Sequence, residues 1–271
     1  MRARVAERNN VQVRGTAPKT LLFGHGFGTD QRAWRFVAPT FVDSYRTVTF
    51  DHVGFGGSER AAYADTRYRT LEGYAVDLVE ILDELAEERV TYVGHSIGGV
   101  IGLLASLVAP ERFERLILVG SSPRFINDPP DYVGGFERAD IEGILDAMES
   151  DQLAWSQSLA PVAMGEQSTP DLVDEFGNTL SALDPLIARS FGRAVFTVDC
   201  RDRLPDVQVP TLVLQCTRDS IVPRSVGAYM KRQLQRGTLR ELDASGHCPH
   251  LTHPRETAAA IHDYLAGDGL T

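Results

Sequence analysis

Continuous apolar runs alternate along the chain with stretches whose apolar positions recur every three or four residues. Residues 19–25 (KTLLFGH) form a short apolar run and read as a buried strand. Residues 45–51 (YRTVTFD) are rich in β-branched and aromatic side chains and read as a second. Over 70–88, Leu71, Tyr74, Leu78, Leu82 and Leu85 are spaced by three and four, which marks one face of a helix. A third strand follows at 89–93 (RVTYV), then a small-residue helix at 97–108. Further strands are expected at 115–119 (RLILV), 211–215 (TLVLQ) and 238–242, with a last helix over about 255–265.

Strands that are apolar at every position are buried on both faces. Their alternation with helices predicts an α/β protein with a mostly parallel sheet flanked by helices. The alternation fails once, between residues 123 and 203, where no strand pattern is present. Thr169-Pro170 and Asp184-Pro185 each place an N-cap residue before proline at the first helical position. Ile141, Ile144, Leu145 and Met148 form another helical stripe. The expected organisation is a core at 1–122 and 204–271, with an all-helical lid inserted at 123–203.

A chain of 271 residues can hold one large core with such an insertion. Its net charge of −10 makes a nucleic-acid backbone or an anionic membrane surface an unsuitable partner. No stretch approaches the roughly 18 apolar residues of a membrane span, and the N-terminus lacks a signal-peptide run. A cytoplasmic location and a monomer are the expectations. Three cysteines, Cys200, Cys216 and Cys248, at irregular spacing and without CxxC suggest neither disulfides nor zinc. With no HExxH either, no metal is expected. Gly54 to Ser58 (GFGGS) lacks the lysine of a phosphate loop and reads as a turn, so no cofactor is expected.

The chemistry starts at Gly94-His95-Ser96-Ile97-Gly98, a GxSxG sequence between a strand and a helix. That context is a nucleophile elbow, in which a tight turn lifts the serine clear of the sheet. Serine needs an imidazole to take its proton, and the imidazole needs a carboxylate. The expected chain order is serine, acid, histidine. Asp219 follows the strand TLVLQ; the loop after RLILV has no acid before Asp128. Asp219 could instead cap the helix near Pro223. Asp199, Asp202 and Asp206 read as solvated. His247 lies between the last strand and the last helix, after Gly246, which frees the backbone there. His250 is its competitor. His52, His253 and His262 have simple structural readings, and His95 reads as a packing or pocket residue. The oxyanion of acyl transfer needs two backbone N–H donors. Ile97 supplies one, and the loop His25-Gly26-Phe27-Gly28 supplies Phe27 as the other, its ring flooring a pocket.

Together LLFGHGFGTDQRAW, YRTVTFDHVGFGGS, VGHSIGG, SSPRFINDPPDYVGGFE and GHCPHLTHP resemble the RsbQ-like subfamily of α/β-hydrolases. Its bacterial members act in stress sigma-factor regulation, and its plant relatives are karrikin and strigolactone receptors. The resemblance spans nearly the whole chain. It implies Ser96, Asp219 and His247 as triad, Phe27 and Ile97 as oxyanion hole, and a four-helix V-shaped lid over a closed apolar pocket. It implies pocket walls at His95, Phe125, Phe136, Trp155, Leu159, Phe196 and Cys248. Leu159 stands where the plant relatives carry an aromatic, which implies a differently shaped pocket. Two functions share these residues. One is hydrolysis of a small apolar ester or lactone through an acyl-serine. The other is signalling, in which a small lipophilic ligand is bound, slowly cleaved and reported to a regulatory protein partner.

Overall fold

The computed structural model describes residues 4–267. Residues 1–3 and 268–271, the outer ends of the expected core at 1–122 and 204–271, lie outside the described residues. The strands are β1 (Gln12–Arg14), β2 (Thr20–Gly24), β3 (Arg46–Thr49), β4 (Val90–His95), β5 (Phe113–Val119), β6 (Thr211–Arg218) and β7 (Gly237–Ser245). They form one sheet in the order β1-β3-β2-β4-β5-β6-β7. All neighbouring pairs are parallel except β1 with β3. β1 is a strand the apolar pattern does not reveal. Its three residues, Gln-Val-Arg, are all exposed at the sheet edge, so no buried run marks them.

The central strands are apolar throughout because each feeds two cores. Leu22 of β2 packs on one face, and Leu21 and Phe23 on the other. In β5, Leu116 and Leu118 face the first core, and Ile117 and Val119 the second. Such strands need cover on both sides. The first face is covered by α1 (Leu71–Glu84), α2 (Ile97–Val108) and, later, α7 (Arg224–Gln233). The second is covered by the turns carrying Trp34, Val37 and Phe41 and by α8 (Pro254–Ala266). α1 turns Leu71, Tyr74, Leu78 and Leu82 inward, as their spacing predicts. It ends at Glu84, short of the expected 88, with Ala86 beyond it at φ 54°.

Four helices stand between β5 and β6: α3 (Arg138–Ser150), α4 (Gln152–Met164), α5 (Pro170–Ser181) and α6 (Pro185–Phe196). Asp184 caps α6 by accepting from the amides of Leu186 and Ile187, whereas the Thr169 side chain makes no capping bond to α5. The insertion is not helical throughout. Residues 123–137 form an irregular loop with a turn at 129–131, in which isolated bridges pair Ile126 with Phe136, Asp128 with Tyr132 and Arg124 with Asp199. The loop is fastened by Arg124 and Arg201, which both hold Asp199. Asp199 is exposed, as the sequence suggests, and is also paired with both arginines.

Candidate active site

β4 delivers Ser96 at the mouth of α2, in the centre of the parallel sheet. Ser96 adopts φ 52° and ψ −123°, outside the regions non-glycine residues favour. Strain of this kind costs on the order of 1–3 kcal/mol and persists only where surroundings enforce it. The enforcement is visible. The Ser96 amide donates to the Val119 carbonyl of β5 at 2.8 Å. A Cβ on Gly94 would stand 2.6 Å from the backbone of Gly99, and one on Gly98 would stand 2.3 Å from the His25 carbonyl oxygen. Glycine at both positions lets α2 start against β2 and β4. Gly98→Ala should therefore lower stability by about 3 kcal/mol, because the obstacle is backbone and cannot swing away. Urea denaturation measures this; an unchanged midpoint would remove the close-packing argument.

The Ser96 Oγ lies 2.8 Å from His247 Nε2, and His247 Nδ1 lies 2.9 Å from Asp219 Oδ2. A carboxylate only accepts, so Nδ1 carries the proton and Nε2 accepts from the serine hydroxyl. Asp219 projects from the loop after β6. Its other oxygen accepts from the amides of Ile221 at 2.8 Å and Val222 at 3.0 Å. Capping and pairing are thus not alternatives for Asp219: one oxygen serves each. Its side chain is fully buried.

His247 is held from several directions. Its backbone N–H donates to the Ala163 carbonyl at 2.6 Å, and its carbonyl accepts from His95 Nε2 at 2.9 Å. The competitor His250 does not approach Ser96. Its ring lies between Trp34 (centroids 4.6 Å apart) and His95 (4.2 Å), and neither of its ring nitrogens has a hydrogen-bond partner among the described residues. Neither Phe27 nor Ile97 donates its amide to another protein group among the described residues.

Ser96 and His247 open into a cavity of about 300 Å³. All seven expected wall residues, His95, Phe125, Phe136, Trp155, Leu159, Phe196 and Cys248, line it, as does Phe27. The Phe27 ring packs on Trp155 and Phe196, joining the β2 loop to α4 and α6. Lining residues not foreseen include Ile144, Val162, Ala163, Phe176, Val195 and Ile221. A signal existed for one of them. Trp155, Leu159 and Val162 lie at i, i+4 and i+7 of α4, so the two expected residues already define the face that carries the third. Ser158 and Ser220 bring the hydroxyls at the rim, and both are exposed.

Buried histidines surround the site. Burial holds His52 and His95 well below the usual imidazole range and His250 down to about 3. Above about pH 6.5 these rings are neutral whether the chain is folded or not, so they lend stability no pH dependence. Below it the unfolded chain takes up protons that the folded chain refuses. Each ring then removes about 1.4 kcal/mol per pH unit. Together these rings should lower stability progressively as the pH falls from 6.5 toward 5. Calorimetry should show the melting temperature falling steeply across that window. A flat profile from pH 7 to 5 would mean that these rings are charged inside the fold.

Residues 21–260 match the family model described as the alpha/beta hydrolase family. The chain belongs to that family. This hydrolase is 44% identical to the strigolactone esterase RMS3 of Pisum sativum, over 95% of this chain and 96% of that one. It is 39% identical to the karrikin insensitive 2 receptor CA of Petunia hybrida, over 92% and 93% of the two chains. In structure it superposes on a hydrolase from Oleispira antarctica with a TM-score of 0.95 and 36% identity, covering 97% of each. The resemblance read from the motifs is consistent with these relatives. No helix among the described residues is long and apolar enough to cross a membrane.

Proposed function

We propose that this hydrolase cleaves a small apolar ester or lactone through an acyl-serine formed on Ser96. The observation that carries the reading is the unbroken hydrogen-bond chain Ser96–His247–Asp219 at the floor of a mostly apolar cavity of about 300 Å³. Ser96 Oγ attacks the carbonyl carbon while its proton passes to His247 Nε2. Asp219 stabilises the resulting imidazolium and fixes its orientation. The amides of Phe27 and Ile97 receive the oxyanion. His247 then gives its proton to the departing alkoxide oxygen, and the C–O bond breaks. For a lactone that oxygen stays tethered, so ring opening leaves the whole substrate on the serine. Water repeats the sequence and frees the acid. The insertion at 123–203 acts as a lid, since it supplies most of the apolar wall, α4 contributing more than any other helix. The protein works as a cytoplasmic monomer without metal or cofactor.

The names of the relatives favour a second reading, in which the same cleavage reports a lipophilic ligand to a protein partner. Exposed apolar side chains on the insertion do not decide it. Leu153 (55% exposed) and Val162 (45%) lie on opposite sides of α4, and Leu186 stands apart on α6. A time course with chromogenic esters and butenolide lactones separates the two. Fast multiple turnover supports a metabolic hydrolase. A single slow turnover with a lasting adduct on Ser96 or His247 supports the signalling role. No reaction with any ester or lactone would refute both.

A further inference from the structure

His247 sits on the connection between β7 and α8, and its backbone is fixed to the insertion. Its N–H donates to the carbonyl of Ala163, which belongs to the last turn of α4, at 2.6 Å. The preceding Gly246, at φ 89°, lies so close to this turn that a Cβ on it would stand 2.2 Å from the Met164 carbonyl oxygen. Gly165, at φ 77°, ends α4 against the same loop, and a Cβ on it would stand 2.5 Å from the Gly246 nitrogen. Two glycines thus let two backbones touch where any side chain would part them.

The turn itself is set off from the rest of α4. Pro161 lies inside the helix and has no N–H to give the carbonyl of Gln157. The Gly165 amide closes the turn by donating to the Pro161 carbonyl at 3.0 Å. Val162 and Ala163, between these two residues, line the cavity. The wall of the cavity and the seat of the imidazole are therefore one short piece of chain.

We infer that the Pro161–Gly165 turn of α4 is a positioning element that sets where the His247 imidazole stands relative to Ser96 and Asp219. The inference rests on the proposed role of His247 and goes beyond it, because no residue of the turn touches the reacting atoms. Misplacing a reacting group by about 1 Å costs on the order of 100-fold in rate.

Gly165→Ala in the full chain tests it, with 4-nitrophenyl acetate as probe. The new methyl group must push the turn away from Gly246. The expected result is a fall in kcat on the order of 100-fold with KM changed less than about threefold. The downfield proton signal of the His247 Nδ1–H to Asp219 bond should shift or vanish in the same variant. Should Gly165→Ala fail to fold, Pro161→Ala decides. It adds a donor to the helix and redirects the turn, and a fall in kcat of about tenfold with a moved signal is expected. Unchanged kcat and an unmoved signal in a folded variant overturn the inference. So does a change in KM alone, which would mean that the turn only shapes the cavity. The proton signal reads the position of His247 without turnover. The inference is therefore judged separately from the hydrolase assignment, which Ser96→Ala tests.

Discussion

Ser96→Ala should lower kcat for 4-nitrophenyl acetate about a million-fold, with the fold intact. A triad works as a unit, and loss of its nucleophile alone removes nearly all of its contribution. The structure gives reasons to expect a folded variant. The hydroxyl faces the cavity, so its removal leaves no buried hole in the core. The strained backbone at φ 52° is held by the Val119 carbonyl and by the flanking glycines, not by the hydroxyl. Alanine meets the same backbone cost as serine there. Turnover at the wild-type rate in a folded Ser96→Ala protein would place the nucleophile elsewhere.

Asp219→Asn should cost about four orders of magnitude in kcat. The direction follows from the two sides of the carboxylate. The amides of Ile221 and Val222 donate to Oδ1, so an asparagine there keeps its oxygen on that side. Its NH₂ group then occupies the place of Oδ2, 2.9 Å from His247 Nδ1. A donor facing Nδ1 forces the ring proton onto Nε2, and the ring then cannot accept from Ser96. The loop should survive because its capping bonds survive. Steady-state kinetics measure the loss, and one smaller than tenfold would assign the acid to another residue.

The three candidate triad residues are legible in the sequence because each is bracketed by recognisable backbone. Ser96 is flanked by glycines at a strand–helix junction, and Asp219 and His247 each follow a strand. What the sequence left open was settled by direction. Asp219 could cap a turn or pair with a histidine, and its two oxygens do both. His247 and His250 share one loop, but the short helical turn at Pro249–Thr252 aims His250 toward Trp34, away from Ser96. The missed β1 is a matter of burial: three exposed residues at an edge leave no hydrophobic trace. The irregular loop 123–137 leaves no sequence signal for a related reason. It is held by isolated bridges and by Arg124 and Arg201 around Asp199, and such long-range pairings leave no period in the sequence. The contact of Gly165 with Gly246 joins residues 81 positions apart, and either glycine alone reads only as a loop residue.

The central claim is that acyl groups pass through Ser96. Rapid-quench mass spectrometry of the protein mixed with 4-nitrophenyl acetate tests it most directly. The account predicts an added acetyl mass within the first turnover, located on the peptide that contains Ser96 and absent from Ser96→Ala. Acetylation that maps to another residue, or that persists unchanged in Ser96→Ala, would contradict it.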